Sequence, residues 1–253
     1  DIRGVVGDNI TENTAYTIGR TFGYTVINRL KSNIIATGYD GRLTSPDLHQ
    51  ALCEGLKDSG AKVINIGMGP TPMTYFAHYH LKTDAVIMVT GSHNPSEYNG
   101  FKMVLNKHSF YAHDILSLQK LIDQKELESI EGEIIHKDIK KNYVDRLLKN
   151  INLNKKIKIA WDVGNGAMGA VIKEVVKNLN NSENILINDK VDGNFPNHHP
   201  DPTVPKNMEQ LISIVKEKNC DVGLAFDGDG DRLGVVDNLG TLIWADQYML
   251  LLC

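Results

Sequence analysis

The chain has 253 residues, more than one ordinary domain needs and enough for two. Hydrophobic residues make up 42% and charged residues 23%, a composition typical of a soluble globular protein. The net charge of -4 disfavours a protein that binds nucleic acid without sequence preference, and no apolar run approaches the ~20 residues that cross a bilayer. We therefore expect neither nucleic acid nor a membrane as a partner.

The cysteines and the chain ends indicate the compartment and the extent of the protein. Cys53, Cys220 and Cys253 are odd in number, far apart and without metal-ligand spacing, so we expect small buried side chains in a reducing environment. No N-terminal segment has the basic, apolar and small-residue order of a signal peptide, which favours a cytoplasmic protein. The chain begins at Asp1 rather than Met and ends within the amphipathic pattern of residues 246–253, which predicts a fragment of a longer protein.

In the first half of the chain, apolar strand-like runs alternate with helical stretches, a pattern typical of a parallel or mixed sheet covered by helices. Strands are predicted over residues 33–40, 61–66 and 84–89, and helices over residues 11–30, 45–59, 113–124 and 138–150. A further short helix is predicted after the Gly/Pro loop 67–72. Ser45 and Pro46 favour a helix start, because serine can cap a helix and proline suits its first turn.

The second half begins after a polar, Asn/Lys-rich stretch at residues 150–156 and repeats the alternation. Strands are predicted over residues 157–163, 184–188 and 221–226, and helices over residues 168–179 and 206–218. A proline-rich loop spans residues 192–205, and residues 233–236 are predicted to pair with residues 241–244 as a hairpin. The expected domains are residues 1–150 and residues 151–253, both of the α/β class.

An acidic loop, Asp227-Gly-Asp-Gly-Asp-Arg232, directly follows a predicted strand. Two glycines permit a turn tight enough for the carboxylates of Asp227, Asp229 and Asp231 to converge. Converging carboxylates repel one another, and a hard cation such as Mg²⁺ relieves that repulsion. A calcium EF-hand is excluded, because it needs Gly and Glu where this chain has Arg232 and Asn238. A solvated turn without an ion is the structural alternative.

A serine loop, Thr90-Gly-Ser-His-Asn-Pro95, follows the predicted strand 84–89. Gly91 is predicted to let the backbone turn sharply, so that Ser92 lies at the carboxyl end of a strand, where open α/β sheets bind ligands. A serine hydroxyl needs a base, a metal or a phosphorylated resting state to react, and His93 is awkwardly close in sequence to serve as the base. Gly-x-Ser-x-Gly is absent, which disfavours a Ser-His-Asp hydrolase. A capping turn is the structural alternative.

Together these motifs resemble the signatures of the α-D-phosphohexomutase superfamily. The resemblance rests on the serine loop, the acidic loop, Asn99-Gly-Phe-Lys102 and Asp1-Ile-Arg-Gly4. Residues 192–202, Asp-Gly-Asn-Phe-Pro-Asn-His-His-Pro-Asp-Pro, are similar to the second-domain loop of the bacterial phosphomannomutase/phosphoglucomutase branch. The resemblance covers essentially the whole chain. It implies two consecutive three-layer α/β/α domains with mixed sheets, the first carrying the serine loop and the second the metal-binding loop.

The resemblance also implies an activity, a Mg²⁺-dependent transfer of phosphate between the 1- and 6-positions of a hexose such as mannose or glucose. Ser92 would carry the phosphoryl group and exchange it through a bisphosphorylated sugar, with glucose 1,6-bisphosphate or an equivalent as activator. Mg²⁺ would be held by Asp227, Asp229, Asp231 and an oxygen of phosphorylated Ser92. The chemistry agrees, because phosphoryl transfer depends mainly on alignment and charge neutralisation.

Four further residues receive roles from the same resemblance. Arg3 and Arg232 would hold phosphate and charge, Lys102 would transfer a proton with the sugar hydroxyl, and His93 would line the phosphoserine site. Family members have a third and a fourth domain that select the sugar and clamp its phosphate. Neither is present in this chain, so we expect weak activity or none from it alone. The sequence predicts no oligomeric state.

Three alternatives stay open. A phosphoglucosamine mutase usually has Ser-Ala before the loop serine, whereas Thr90-Gly91 favours the mannose/glucose type. Residues 164–169, Gly-Asn-Gly-Ala-Met-Gly, precede Asp189 by twenty residues and open a predicted helix, which is typical of the NAD-binding turn of an oxidoreductase. Asp162 argues against that turn, because its charge would repel a pyrophosphate. The third alternative is a non-catalytic fragment that binds phosphosugars.

Two smaller polar features are given mainly structural roles. Asp40-Gly-Arg42 is expected to form a turn in which Arg42 pairs with Asp40 or a nearby acid. His198 and His199 lie in the proline-rich loop, where we expect them at the surface or in packing contacts.

Overall fold

The structure is a computed structural model, and it describes residues 2–123 and 127–252. It divides into two compact units, Asp1–Ile139 and Lys140–Cys253. The division precedes the helix α5 (Lys140–Leu148), which the sequence placed at the end of the first domain. That helix buries Tyr143 and Val144 and contacts α6 (Gly169–Asn178) of the second unit. This contact explains why the boundary lies before α5 and not after it. The roles assigned to the two domains stay predictions.

In the first unit, seven strands among the described residues form one sheet in the order β1-β5-β4-β2-β3-β7, with β6 paired to β5. Their bounds are β1 Ile2–Val5, β2 Ile34–Tyr39, β3 Lys62–Met68, β4 Ala85–Val89, β5 Tyr98–Leu105, β6 His108–Ser109 and β7 Glu133–His136. Strands β2, β3, β4 and β7 are parallel, whereas β5 runs antiparallel to β4 and to β1. The sheet is therefore mixed.

Helices cover both faces of this sheet. Their bounds are α1 Glu12–Leu30, α2 Ser45–Asp58, α3 Thr71–His80 and α4 His113–Asp123. Ile87 and Val89 of β4 join the apolar cluster formed with α1 and α2. Met88, which lies between these two residues on the strand, contacts Thr74 of α3 instead, with 3.2 Å between Thr74 Oγ1 and Met88 Sδ. Since neighbouring residues of a strand point to opposite faces, α3 lies across the sheet from α1 and α2.

The second unit holds a five-stranded sheet in the order β12-β11-β10-β8-β9. Besides α5 and α6, the unit contains β8 Ile157–Asp162, β9 Ser182–Ile187, a 3-10 helix Pro205–Met208, α7 Glu209–Lys218, β10 Val222–Phe226, β11 Leu233–Asp237, β12 Leu242–Ile243 and α8 Ala245–Leu252. Strand β8 pairs in parallel with β9 and β10, and β10, β11 and β12 pair antiparallel. Leu211 and Val215 of α7 pack on Ala160 and Ala225 of the sheet.

The predicted α/β class with mixed sheets is confirmed in both units, but several strands were missed. Strand β5 escaped detection because Asn99 and Gly100 interrupt its apolar pattern. Strand β7 is a largely exposed edge strand, so it has no continuous apolar run. The predicted helix 206–218 is a 3-10 turn followed by α7. No helix in the described ranges has both the length and the apolar character needed to cross a membrane.

Candidate active site

The serine loop leaves the completely buried strand β4 and returns through β5. Ser92 lies within it at 3% exposure, and its φ of 52° places a non-glycine residue in the left-handed region. Such a conformation costs about 1–3 kcal/mol and persists only where the surroundings enforce it. The loop therefore holds the candidate nucleophile in a strained backbone conformation.

Gly91 is needed for a reason that the sequence did not reveal. The predicted turn begins at Gly91, whose carbonyl accepts the Asn94 N–H at 3.0 Å, but the left-handed conformation within it falls on Ser92. A Cβ atom at Gly91 would lie 2.3 Å from Nε and 2.4 Å from Cζ of Arg42. Glycine is therefore present so that the Arg42 guanidinium can lie directly against the loop backbone.

The amide and the hydroxyl of Ser92 contact neighbouring residues of their own loop. The Ser92 N–H donates to Thr90 Oγ1 at 2.7 Å. The Ser92 hydroxyl lies 3.4 Å from Nδ1 of His93, at the long end of the hydrogen-bonding range. His93 therefore lies beside the hydroxyl but in a poor position to activate it, which agrees with the expectation from their adjacency in sequence.

Two other predicted site residues come from the strands beside the loop. Arg3 of β1 donates from Nη1 to the carbonyl of Gly91 at 2.7 Å and to Oδ1 of Asn94 at 2.8 Å. Lys102 of β5 is 7% exposed and pairs with Met88 of β4 in the sheet register. The first unit thus brings Arg3, Ser92 and His93 together, and Lys102 follows on the returning strand.

The predicted pairing of Arg42 with Asp40 is confirmed, with 3.3 Å between Arg42 Nε and Asp40 Oδ2. Both side chains are almost fully buried, and Arg42 also donates to the backbone of the serine loop. Burial raises the pKa of Asp40, whereas the charge of Arg42 opposes that rise. Sequence reasoning missed the contact with the loop, because Arg42 and Ser92 are fifty residues apart in the chain.

In the second unit, the acidic loop connects β10 to β11 and brings its carboxylates together. One oxygen from each of Asp227, Asp229 and Asp231 lies within 4.8 Å of the others. The first two side chains are fully buried and the third is exposed. Oδ1 of Asp227 accepts the N–H groups of Asp231 and Arg232, both at 3.0 Å, which closes the turn.

The electrostatics of the acidic loop favour a cation. Burial raises the pKa of Asp227 to about 8, with further contributions from the charges of Asp229 and Asp231, and the N–H of Arg232 opposes the rise. A bound divalent cation would stabilise the ionised carboxylates and so remove this cost. The donor set consists of carboxylate oxygens, which Mg²⁺ prefers, so these residues fit that ion.

Arg232 lies at the end of the acidic loop with its side chain 39% exposed. Its Nη1 is 3.8 Å from Oδ1 of Asp201, which belongs to the proline-rich loop. Asp201 in turn accepts the N–H and the hydroxyl of Thr203 at 3.0 and 2.7 Å. The guanidinium therefore lies near an acid that sequence reasoning did not single out.

The glycine turn 164–169 contacts and supports the acidic loop. Ala167 N–H donates to the carbonyl of Gly228 at 2.9 Å, and a Cβ at Gly166 would lie 2.7 Å from the same oxygen. The remaining amides at the start of the turn donate to protein oxygens as well: Gly164 to Asp162, Asn165 to Asn188, and Gly166 to Val163. Because these donors are occupied, the structure disfavours the NAD-binding alternative.

The side chains of Asp162 and His198 form a hydrogen-bonded group that stabilises the glycine turn 164–169. Oδ1 of Asp162 accepts the Gly164 N–H at 3.0 Å and the Asn188 amide at 2.9 Å, and Oδ2 lies 2.9 Å from Nε2 of His198. Burial lowers the pKa of His198, but the hydrogen bond and charge of Asp162 outweigh it, so the pKa of His198 is raised. The contact with Asp162 agrees with the packing role expected for His198.

Two cysteines behave as the sequence predicted. Cys53 and Cys220 are free and buried, and burial raises the pKa of the Cys53 thiol to about 11. Cys253 lies outside the described residues, as does Asp1 of the N-terminal motif.

Both units match the sequence models of known domain families. Residues 1–128 match the sequence model of α/β/α domain I of phosphoglucomutase/phosphomannomutase, and residues 141–240 match that of domain II.

Individual relatives agree with these matches. A phosphomannomutase/phosphoglucomutase of Pseudomonas aeruginosa is 44% identical over 251 residues, which is 99% of this chain and 54% of the relative. A phosphoglucomutase of Neisseria gonorrhoeae is 42% identical over 253 residues, covering 99% of this chain and 55% of the relative. A crystal structure of a phosphoglucomutase/phosphomannomutase family protein from Burkholderia thailandensis superposes with a TM-score of 0.94 at 40% identity, covering 100% of this chain and 56% of that one. The chain spans about half the length of the curated relatives it matches.

Proposed function

The chain belongs to the phosphoglucomutase/phosphomannomutase family, and on that premise we propose that it carries the phosphoryl-transfer machinery of a hexose-phosphate mutase. The reaction would interconvert the 1-phosphate and 6-phosphate of mannose or glucose. One observation carries the proposal: each unit presents one specialised loop, a buried serine in a left-handed conformation and three converging carboxylates. Both features cost free energy in an ordinary fold, which supports a functional role for each.

Ser92 is the proposed carrier of the phosphoryl group. In the forward half-reaction, the bond from phosphorus to Ser92 Oγ breaks and a bond from phosphorus to a sugar hydroxyl oxygen forms. The proton of that hydroxyl passes to a base, for which we propose Lys102 as the neutral amine, and the departing Ser92 oxygen takes up a proton from solvent. In the second half-reaction the Ser92 hydroxyl gives up that proton and takes the other phosphoryl group of the bisphosphorylated sugar, and Lys102 returns its proton to the sugar oxygen, so that atoms and charges balance over the cycle. Glucose 1,6-bisphosphate or an equivalent sugar bisphosphate serves as activator.

Asp227, Asp229 and Asp231 are the proposed ligands of Mg²⁺. When bound, the ion supplies charge neutralisation for a phosphoryl group. We propose that an oxygen of phosphorylated Ser92 is a further ligand. The protein contributes the convergence of the three carboxylates, which the Asp227 hydrogen bonds to the loop amides fix.

The remaining predicted residues receive roles that agree with their contacts. Arg232, a largely accessible guanidinium near Asp201, would bind phosphate at the edge of the acidic loop. Arg3 would provide charge beside the serine loop, to whose backbone it is bound. His93 would line the phosphoserine site at its present distance from the hydroxyl.

The sugar type and the cellular location of the enzyme are proposed from the sequence and from the named relatives. Thr90-Gly91 supports the mannose/glucose type over a phosphoglucosamine mutase, and the named relatives are phosphomannomutases and phosphoglucomutases. A hexose phosphate is the proposed partner, and the cytoplasm the proposed location. A non-catalytic, phosphosugar-binding role is the second candidate, and it differs in predicting that Ser92 never takes up phosphate.

Intact-mass measurement tests the proposal. We expect the chain, incubated at high concentration with glucose 1,6-bisphosphate and Mg²⁺, to gain ~80 Da on Ser92 as phosphate. Ser92→Ala removes the gain. The matched control is Ser96→Ala, which removes an exposed hydroxyl just after the serine loop and keeps the gain. A gain that survives Ser92→Ala contradicts the assignment, and sugar-phosphate binding without any gain supports the non-catalytic role.

A further inference from the structure

We propose that Arg42 is a positioning residue, whose buried guanidinium fixes the backbone of the serine loop and thereby sets the direction of the Ser92 hydroxyl. The proposal rests on the proposed role of Ser92 in phosphoryl transfer. Arg42 follows β2 in the chain and is only 2% exposed, so it acts through the loop and not on a substrate.

The guanidinium binds four carbonyl oxygens of one short segment. Nη1 donates to Pro95 at 2.6 Å and to Tyr98 at 3.0 Å. Nη2 donates to Ser92 at 2.9 Å and to Asn94 at 2.6 Å. A planar fork of N–H donors can satisfy several carbonyls at once, which an ammonium group on a flexible stem cannot do with the same geometry.

Asp40 anchors the guanidinium and binds the start of the loop as well. Its Oδ2 accepts the Thr90 hydroxyl at 2.8 Å and the Gly91 N–H at 3.1 Å. Its Oδ1 accepts the backbone N–H of Arg42 at 3.1 Å and the Ser45 hydroxyl at 2.5 Å. A buried ion pair is favourable only when its remaining polar atoms are satisfied, and both partners here use them on the loop and its surroundings.

The contacts fix Ser92 at both ends of its backbone. Its N–H donates to Thr90 Oγ1, whose hydroxyl donates to Asp40. Its carbonyl accepts from Arg42. Because the N–H side and the carbonyl side of one residue define φ and ψ, the Asp40–Arg42 pair enforces the left-handed conformation of Ser92.

The space around Gly91 supports this assignment independently of the hydrogen bonds. A Cβ atom there would collide with Nε and Cζ of Arg42 and with the backbone oxygen of Tyr98, one of the carbonyls that the guanidinium binds. The loop backbone and the guanidinium are therefore in direct van der Waals contact. A movement of either one requires a movement of the other.

Two variants separate positioning from stability. Arg42→Lys keeps the positive charge beside Asp40 but cannot bind the four carbonyls in the same geometry. Arg42→Met combined with Asp40→Asn removes both charges, so no buried charge is left without its partner. The matched control is Arg29→Met, which removes an exposed arginine paired with Asp114 in the same unit.

The main measurement is the one-bond Cα–Hα coupling of Ser92, which reports the sign of φ, together with hydrogen exchange of the Asn94 and Tyr98 amides. We expect Ser92 to leave positive φ and the two amides to exchange at least about tenfold faster in both variants. Exchange in the second unit and the Mg²⁺ affinity of the acidic loop stay as in the unaltered chain. Uptake of phosphate from glucose 1,6-bisphosphate at Ser92 slows in both variants, and Arg29→Met changes none of these.

The proposal is overturned if Ser92 keeps positive φ and its loop keeps its protection in the folded Arg42→Lys protein. A fall in melting temperature with an unchanged loop would assign Arg42 a purely structural role. If the unaltered chain never takes up phosphate at Ser92, the proposed function fails, but the conformational result still decides whether Arg42 fixes the loop.

Discussion

Three aspartates bring their oxygens within 4.8 Å of one another, and two of them are fully buried. Their mutual repulsion is large because burial lowers the effective dielectric around the charges. The same burial raises the pKa of Asp227 to about 8. At the scale of single residues, the acidic loop is therefore unfavourable by itself and becomes favourable when a cation is bound.

The first prediction concerns Asp229. We expect Asp229→Asn to weaken Mg²⁺ binding at least about tenfold, or about 1.4 kcal/mol, because it removes one buried carboxylate from the donor set. The measurement is the rise in melting temperature with Mg²⁺ concentration, which reports affinity by mass action. Asp246→Asn, at an exposed position of α8, is the control and keeps the wild-type response. An unchanged response in Asp229→Asn would count against the ligand assignment.

A second residue-scale prediction concerns His49, which lies 3% exposed in α2 near Thr37 and Cys53. Burial, followed by the charge of His136, lowers the pKa of His49 from 6.5 to about 4. The folded state therefore binds this proton less readily than the unfolded state, so stability is full above pH 6.5 and falls as pH drops towards 4.

We expect His49 to account for about 2 kcal/mol of the stability lost between about pH 7 and about pH 5, and His49→Gln to remove that part of the loss. Urea unfolding at the two pH values measures it. His108→Gln alters an exposed histidine of β6 and should keep the acid loss. The idea fails if His49→Gln loses as much stability on acidification as the unaltered chain.

Sequence reasoning singled out Ser92 and the three aspartates as candidates because each lies in a short contiguous motif with a recognisable spacing. It paired Arg42 with Asp40 because they are two residues apart. It did not find the contact of Arg42 with the serine loop or that of Arg232 with Asp201, since these partners meet only through tertiary structure. Local pattern carries no information about such long-range contacts.

At the scale of elements, both loops follow a strand, and each is supported by a turn from elsewhere in its own unit. The serine loop rests on the turn after β2, through Asp40 and Arg42. The acidic loop rests on the glycine turn after β8, through Ala167 and Gly228. The motif resembling an NAD site thus has a supporting role, which explains its glycines by close packing.

This supporting role gives a prediction for Gly166. A Cβ there would lie 2.7 Å from the backbone oxygen of Gly228, so we expect Gly166→Ala to displace the acidic loop and weaken Mg²⁺ binding about tenfold. Gly223→Ala is the matched control, since its Cβ would also meet an atom at 2.7 Å, but that atom is Cγ2 of Val215. It should lower the melting temperature and leave Mg²⁺ affinity unchanged. Equal Mg²⁺ affinities in both variants would argue against support from the turn.

The elements that the sequence predicted are those with continuous apolar runs or caps. Strand β4 is entirely buried, and β10 alternates between buried and half-buried residues, so both were found. Strands β1 and β7 are short and only partly buried, and they join the sheet only through long-range pairing. Their positions depend on the tertiary fold, which periodicity does not report.

At the scale of the whole molecule, the chain is two family domains, one with the serine loop and one with the acidic loop. It covers 54% of the Pseudomonas aeruginosa relative, so about half of such a protein lies beyond the region compared.

The most direct test of the central claim follows a labelled phosphoryl group off Ser92. The chain is first labelled on Ser92 with glucose 1,6-bisphosphate and then mixed with mannose 1-phosphate or glucose 1-phosphate in the presence or absence of Mg²⁺. We predict that label leaves Ser92 and appears on the sugar only with Mg²⁺, and that Asp229→Asn slows this transfer. Label that stays on the protein under both conditions, or that leaves equally fast without Mg²⁺, would contradict the account.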